Sequence, residues 1–169
     1  MTGDGTIRLL GISGSPRKKA TDYIVNEALR YAKEKFDVET DYFSASGKEL
    51  KFCIHCDYCV RKQQGCIHKD DIVGLYEKML WADAWIIGTP VYQGTLSAQT
   101  KTIMDRCRAV VARDPKAFRN KVGAATAVGG ARLSARGARA GGHHATDIGG
   151  DGDRGGRDGA VLPRVRVGA

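Results

Sequence analysis

Cys53, Cys56, Cys59 and Cys66 form a C-x2-C-x2-C-x6-C cluster. The x2 spacing lets three cysteines wrap three corners of a cubane iron–sulfur cluster while backbone N–H groups point at the sulfides, and a fourth thiolate completes a [4Fe-4S] ligand set. Structural zinc usually draws two C-x2-C pairs from separate knuckles and does not need a third x2-spaced cysteine, yet His55 and His68 are in reach and keep a mixed Cys/His zinc site open. A disulfide framework does not suit a cytoplasmic chain. The cytoplasm is the expected compartment, because the N-terminal MTGDGTIRLLGISGSPRK runs straight into a strand-like stretch with no basic region ahead of an apolar one. The fifth cysteine, Cys107, lies on the apolar face of a helix and reads as core.

A second group is Gly11-Ile12-Ser13-Gly14-Ser15-Pro16-Arg17-Lys18-Lys19-Ala20-Thr21, between a strand and a helix. There, backbone N–H groups, hydroxyls and a helix N-terminus converge, which holds a phosphate without a metal. The segment lacks G-x-x-x-x-G-K-[ST] and G-x-G-x-x-G, so nucleoside triphosphates and NAD are not its natural ligands. The alternative is a plain Gly/Ser/Pro turn, which leaves the company of hydroxyls and basic residues unexplained. A third group, Gly88 to Ala98, reads as a loop at the C-terminal end of a buried strand, where α/β sheets bind ligands. Pro90 stiffens it and Tyr92 offers an aromatic surface for a flat ring system. No His/Asp or paired-carboxylate arrangement points to acid–base hydrolysis, so no catalytic residue is assigned.

The elements that must position these groups follow from periodicity. Ile7–Ile12, Val38–Phe43, Trp85–Gly88 and Lys121–Val128 read as strands. Thr21–Phe36 carries an amphipathic helical stripe, a second helix begins at Asp70-Asp71, and a third is capped by Ser97 with Thr100, Ile103, Met104, Cys107 and Val111 on one face. Alternating strands and helices give an α/β fold with a parallel sheet. With 169 residues the chain has room for one domain, residues 1–130, with the cysteine-rich loop 50–68 inserted. No apolar run approaches the ~20 residues of a membrane span. The net charge of +8 is spread as a surplus of five over residues 1–128 and three beyond, without a basic stripe interleaved with aromatics, so nucleic acid is not an expected partner.

Together the three groups, GISGSPRKKAT, CIHCDYCVRKQQGC and GTPVYQGTLSAQTKTIMDRC, resemble the iron–sulfur flavoproteins, a branch of the flavodoxin-like NADPH-dependent FMN reductase superfamily. The resemblance covers about residues 7–130. It implies a doubly wound parallel sheet binding FMN, with the phosphate at Ser13, Ser15, Arg17, Lys18 and Thr21 and the ring near Thr89, Pro90, Val91, Tyr92 and Gly94. It also implies a [4Fe-4S] cluster on Cys53, Cys56, Cys59 and Cys66, homo-oligomers, a ferredoxin-like electron donor and a small-molecule electron acceptor. Two other readings stay open: an NAD(P)H-dependent FMN or quinone reductase with a structural zinc site, and a non-catalytic metal-binding module.

The composition changes after Val128. Residues 129–169 hold 12 glycines, 7 arginines and 7 alanines in 41 positions, with no aromatic residue and no lysine. Such a segment buries too little apolar surface to offset its ordering entropy and is expected to be disordered, in place of the last strand and helices of the fold. Gly, Arg and Ala are also what GC-rich codons yield when read out of register. Shifted by one base, Arg136-Gly137-Ala138-Arg139 is compatible with the Gly-Gly-Gln-Glu turn that the resembled family has at this point. The segment therefore reads as a frameshifted product. Resequencing the coding DNA across residues 128–140 is expected to reveal a one-base shift; correct bases followed by early stops in the shifted frame would refute it.

Overall fold

The computed structural model describes residues 5–129. The expectations for the tail 131–169 fall outside those residues. The elements run β1 (Ile7–Ser13), α1 (Ala20–Lys35), β2 (Val38–Ser44), α2 (Tyr58–Lys62), α3 (Ile72–Trp81), β3 (Ala84–Tyr92), β4 (Thr95–Leu96), α4 (Ala98–Arg106), α5 (Arg108–Val111) and β5 (Val122–Val128). Four strands are parallel in the order β2-β1-β3-β5, and short β4 folds back antiparallel on the end of β3. This is the expected flavodoxin-like α/β architecture. Chain direction across the sheet reverses between β1 and β3, the switch point at which such sheets open a crevice.

Leu10 and Ile12 of β1 are fully buried, and they meet Phe43, Leu75, Met79 and Ile103 in the main core. On the other face α1 lies close to the sheet through Val25 and Leu29. That approach needs glycine: a Cβ on Gly88 would stand 2.5 Å from Val25 Cγ2, and one on Gly11 would stand 2.6 Å from Leu29 Cδ1. At the N-terminal edge Asp83 joins the starts of β1 and β3 by accepting from the Arg8 backbone N–H at 3.0 Å and from its guanidinium at 3.2 Å. These bonds from the Arg8 side chain and backbone hold the Asp83 carboxyl down at about 2.

Several elements differ from expectation. Thr89–Tyr92 belong to β3, which runs past Gly88 and turns through Gln93 and Gly94, both at positive φ, into β4. Two residues at positive φ make the tight hairpin turn that twisted strands favour. In α4 the buried residues are Thr100, Thr102, Ile103 and Arg106, whereas Met104 and Val111 are exposed. The helix breaks at Cys107 and restarts as α5, so a single stripe does not continue through it. Asp70 and Asp71 precede α3; Asp71, at the N-cap position, makes no side-chain cap bond, and both carboxylates accept from backbone N–H groups of residues 48–51. Among the described residues no helix is long and apolar enough to cross a membrane.

The close approach at Gly88 yields a paired test. Gly88→Ala is expected to lower stability by roughly 1–3 kcal/mol because Val25 and the α1 backbone must shift. Gly123→Ala in β5, where an added Cβ meets nothing within 4 Å, should be near neutral. Urea midpoints of the two variants measure the difference.

Candidate functional site

Parallel strands send their following loops to one edge, so the β1–α1 loop, the long β2–α3 connection and the β3–β4 hairpin all emerge together. Ser13 pairs with Gly88 across β1 and β3, and the Gly14 N–H extends that ladder by donating to Gly88 O at 2.8 Å. Gly14 is locked against α4, where an added Cβ would lie 1.8 Å from Thr100 Oγ1. A buried hydroxyl chain fixes this junction. Ser97 caps α4 through a bond from Thr100 N–H at 3.2 Å and donates its own proton to Gly14 O at 2.6 Å; Thr100 Oγ1 donates to Thr89 Oγ1 at 3.0 Å.

Within the loop Ser15 Oγ accepts from Arg17 N–H at 3.1 Å and donates to Arg17 O at 2.6 Å, closing a tight turn. Ser13 is fully buried, and its hydroxyl donates to Asp22 at 2.9 Å while lying 3.4 Å from Ser15 N. Thr21 is buried in the first turn of α1, and Arg17 and Lys18 are exposed. Arg17 reaches the other motif: its guanidinium lies 6.0 Å from the centroid of the Tyr92 ring and donates to Tyr92 Oη at 3.3 Å. Thr89, Pro90 and Val91 are buried in β3, with Gly94 in the turn beyond. The structure thus brings both predicted ligand segments to one crevice.

Sequence reasoning missed Asp22. Its buried carboxylate accepts from Ser13, from Tyr42 Oη at 2.5 Å and from Ser44 Oγ at 2.7 Å, tying the first turn of α1 to the ends of β1 and β2. Burial and the Asp22 carboxylate push the Tyr42 hydroxyl up, so it stays a donor. An acid at the fourth position after Lys18 looked like an ordinary first-turn residue; only the fold shows its three donors.

The cysteines lie on the β2–α3 connection, Cys59 within α2 and Cys53, Cys56 and Cys66 in the flanking turns. His55, Asp57 and Gln63 adopt positive φ, as does Gly65, so the chain reverses repeatedly over this short stretch. Non-glycine residues rarely accept that conformation without local compensation. The ends of the connection are clamped. Asp70 accepts from Lys51 N–H at 2.7 Å and takes a two-pronged bond from Arg106 at 2.9 and 3.0 Å, while Arg106 also donates to Lys51 O. Burial acts to raise the Asp70 carboxyl, but the Arg106 guanidinium and the Lys51 amide outweigh it and hold it below the usual carboxylate range.

All five cysteines are free thiols. Burial pushes Cys107 up to about 11, and its Sγ lies 3.9 Å from Met79 Sδ, which fits the expected core role. Cys59 and Cys66 pack against the buried cluster of Ile72, Tyr76, Ala109 and Val110. Two nitrogens near this loop, His68 Nε2 and Arg106 Nε, are buried without a hydrogen-bond partner among the described residues. Among those residues no three Cys, His, Asp or Glu side chains converge as they would around one metal ion. The donor set still fits a larger group: soft thiols on one strongly turned loop, with cationic and N–H groups beside them.

Comparison with known proteins identifies the family. An iron-sulfur flavoprotein of Methanocaldococcus jannaschii is 57% identical over 126 residues, covering 75% of this chain and 63% of the relative. One from Archaeoglobus fulgidus is 50% identical over 125 residues, covering 74% and 63%. The chain therefore spans a little under two thirds of these relatives' length. Among solved structures, a flavone reductase superposes with a TM-score of 0.58 at 25% identity, over 78% of this chain and 46% of that one. The family profile described as NADPH-dependent FMN reductase matches residues 7–146, and the chain belongs to that family.

Proposed function

We propose that this protein is an FMN-dependent oxidoreductase that moves electrons between a [4Fe-4S] cluster and FMN. The observation that carries the reading is the emergence of the anion-binding loop and the four-cysteine loop from adjacent parallel strands at one edge of the sheet. A cluster exchanges single electrons and a flavin takes one or two, so the pair converts between one- and two-electron carriers.

The chain's own groups divide this work. Ser15, Arg17, Lys18 and Thr21, with the backbone N–H groups that Ser13 helps to shape, would receive the FMN phosphate at the start of α1. Thr89, Pro90, Val91, Tyr92 and Gly94 form the rigid wall and hairpin against which a flat ring would rest, stiffened by the Thr89–Thr100 hydroxyl bond. Cys53, Cys56, Cys59 and Cys66 would hold the cluster. A single zinc ion, with Zn–S near 2.3 Å, needs its ligands drawn together; a cubane spreads them over four irons. The third x2-spaced cysteine supports the wider arrangement.

A ferredoxin-like donor and a small-molecule acceptor suit a cluster on a surface loop beside a crevice. Phe52, Ile54, Val60 and Ile67 flank the cysteines and are exposed, which supports a homo-oligomeric contact beside this loop. Free thiols in this number suit the reducing cytoplasm.

Two tests follow. In anaerobically purified protein, Cys56→Ala should lose most of its iron and labile sulfide while keeping its far-UV circular dichroism, whereas Cys107→Ala should keep both and lose only packing stability. Flavin with zinc and no sulfide in the wild-type protein would instead establish the reductase with a structural zinc. Separately, Arg17→Ala should weaken FMN about 10-fold, the value of one charge-assisted contact, with little change for riboflavin. Equal losses for both ligands, read by fluorescence titration, would place the phosphate elsewhere.

A further inference from the structure

Arg17 is held at both ends. Its backbone N–H donates to Ser15 Oγ at 3.1 Å, and its carbonyl accepts from the same hydroxyl at 2.6 Å and from Lys19 N–H at 2.9 Å. At the far end of the side chain, Nη2 donates to Tyr92 Oη at 3.3 Å, while the guanidinium carbon stands 6.0 Å from the centre of the Tyr92 ring. Tyr92 is itself anchored by pairing with Thr95 in the β3–β4 hairpin. One exposed arginine therefore ties the β1–α1 loop to the hairpin, the two segments proposed to meet the phosphate and the ring.

The tether leaves the cation usable. Among the described residues no carboxylate pairs with Arg17, so its charge is uncompensated. The bond to Tyr92 occupies one of the five guanidinium N–H groups, and the other four still include a complete two-nitrogen edge, the fork that a phosphate takes in parallel. Tyr92 can thus hold the guanidinium without blocking the edge it offers. An arginine free in solvent loses rotamer freedom when a ligand captures it, and a tethered one loses less. The hydrogen bond is long and the ring contact stands at the outer limit of cation–π range, so the contribution is modest and lies in preorganisation.

We propose that the Tyr92 hydroxyl is a positioning group for the phosphate end of the flavin, holding Arg17 where it receives the phosphate and so adding to the preference for FMN over riboflavin. This role rests on the FMN site proposed above and belongs to the hydroxyl, apart from the ring that would face the flavin.

Tyr92→Phe removes the hydroxyl and keeps the ring. Protein purified anaerobically and depleted of flavin alone is titrated with FMN and with riboflavin, followed by fluorescence, as wild type, Tyr92→Phe, Arg17→Ala and the double variant. Tyr92→Phe should weaken FMN about 2- to 5-fold, the worth of one long exposed hydrogen bond, and leave riboflavin unchanged. In the Arg17→Ala background the same substitution should cost FMN nothing further, because the hydroxyl acts only through Arg17. A merely structural role would weaken both flavins alike, and that result would overturn the proposal. So would unchanged or tighter FMN in Tyr92→Phe, which would make the hydroxyl a bystander or a competitor for Arg17, or an equal FMN loss with Arg17 absent. Arg17→Ala weakening both flavins equally would instead remove the phosphate site itself and the proposal with it, an outcome distinct from a working Arg17 that ignores Tyr92.

Discussion

The pairing of Ser13 with Gly88 sets where everything else can go. Up to that register β1 and β3 run side by side; one residue later the Gly14 N–H makes the last shared bond, and the chains part. One turns under α1, and the other continues to Tyr92 and the hairpin. The crevice is the space opened by this divergence. Its width depends on residues with little or no side chain, because α1 rests on Gly11 and Gly88 on one face while Thr100 fills the place of a Gly14 side chain on the other. The hydroxyls of Ser97, Thr100 and Thr89 then fasten the parted chains without charge, leaving the rim free to present cations.

The cysteine loop is held by different physics. Much of its apolar surface is outside the core, Phe52 at 71% exposure and Ile54 at 55%, so burial cannot order it. Its base is closed by Arg106 and Asp70, whose side chains are 1% and 0% exposed. A buried pair of this kind gains little over well-packed apolar residues, but removing one partner strands a charge and costs about 3–5 kcal/mol. The exposed Arg30 pairs with Glu27 and Glu34 on α1 are screened by solvent and contribute little. The pair at the loop base therefore carries structural weight that the Arg30 pairs do not, and it does so by specifying where the loop starts and ends.

The strands and main helices were legible because parallel α/β units impose apolar runs and helical periods that few other folds share. The cysteine spacing and the Gly/Ser loop were legible because their chemistry is local. Long-range polar partners were not. Arg106 sits between Asp105 and Cys107 and resembles any surface arginine until α4 turns it inward toward Asp70, 36 positions earlier. Asp70 and Asp71 looked like helix-start acids because acids suit the positive end of a helix; residues 48–51 compete for them with backbone donors at 2.7 and 2.8 Å and win. Met104 and Val111 were placed on a buried stripe, but α4 turns the face of Thr102, Ile103 and Arg106 inward and leaves Met104 outside, and Val111 lies in α5 beyond the break at Cys107. Thr89–Tyr92 looked like a loop because proline interrupts strands, yet Pro90 pairs with Val128 in β5 at the end of that ladder, where the missing donor is tolerated.

A buried carboxylate beneath a loop proposed to receive a phosphate looks like a contradiction, and the geometry of Asp22 resolves it. Three hydroxyl donors, from Ser13, Tyr42 and Ser44, surround its two oxygens at 2.5 to 2.9 Å. The first turn of α1 adds its own positive end. The negative charge is thus compensated from below, and the Ser13 proton is committed to it. Ser13 consequently faces the loop as an acceptor, toward Ser15 N, and is left without a proton to offer a phosphate. On the proposed reading, recognition of the FMN phosphate would then fall to the backbone N–H groups that Ser13 helps to orient and to the exposed cations Arg17 and Lys18. Asp22 acts through shape: it pins the loop to β2 and sorts donors from acceptors along it.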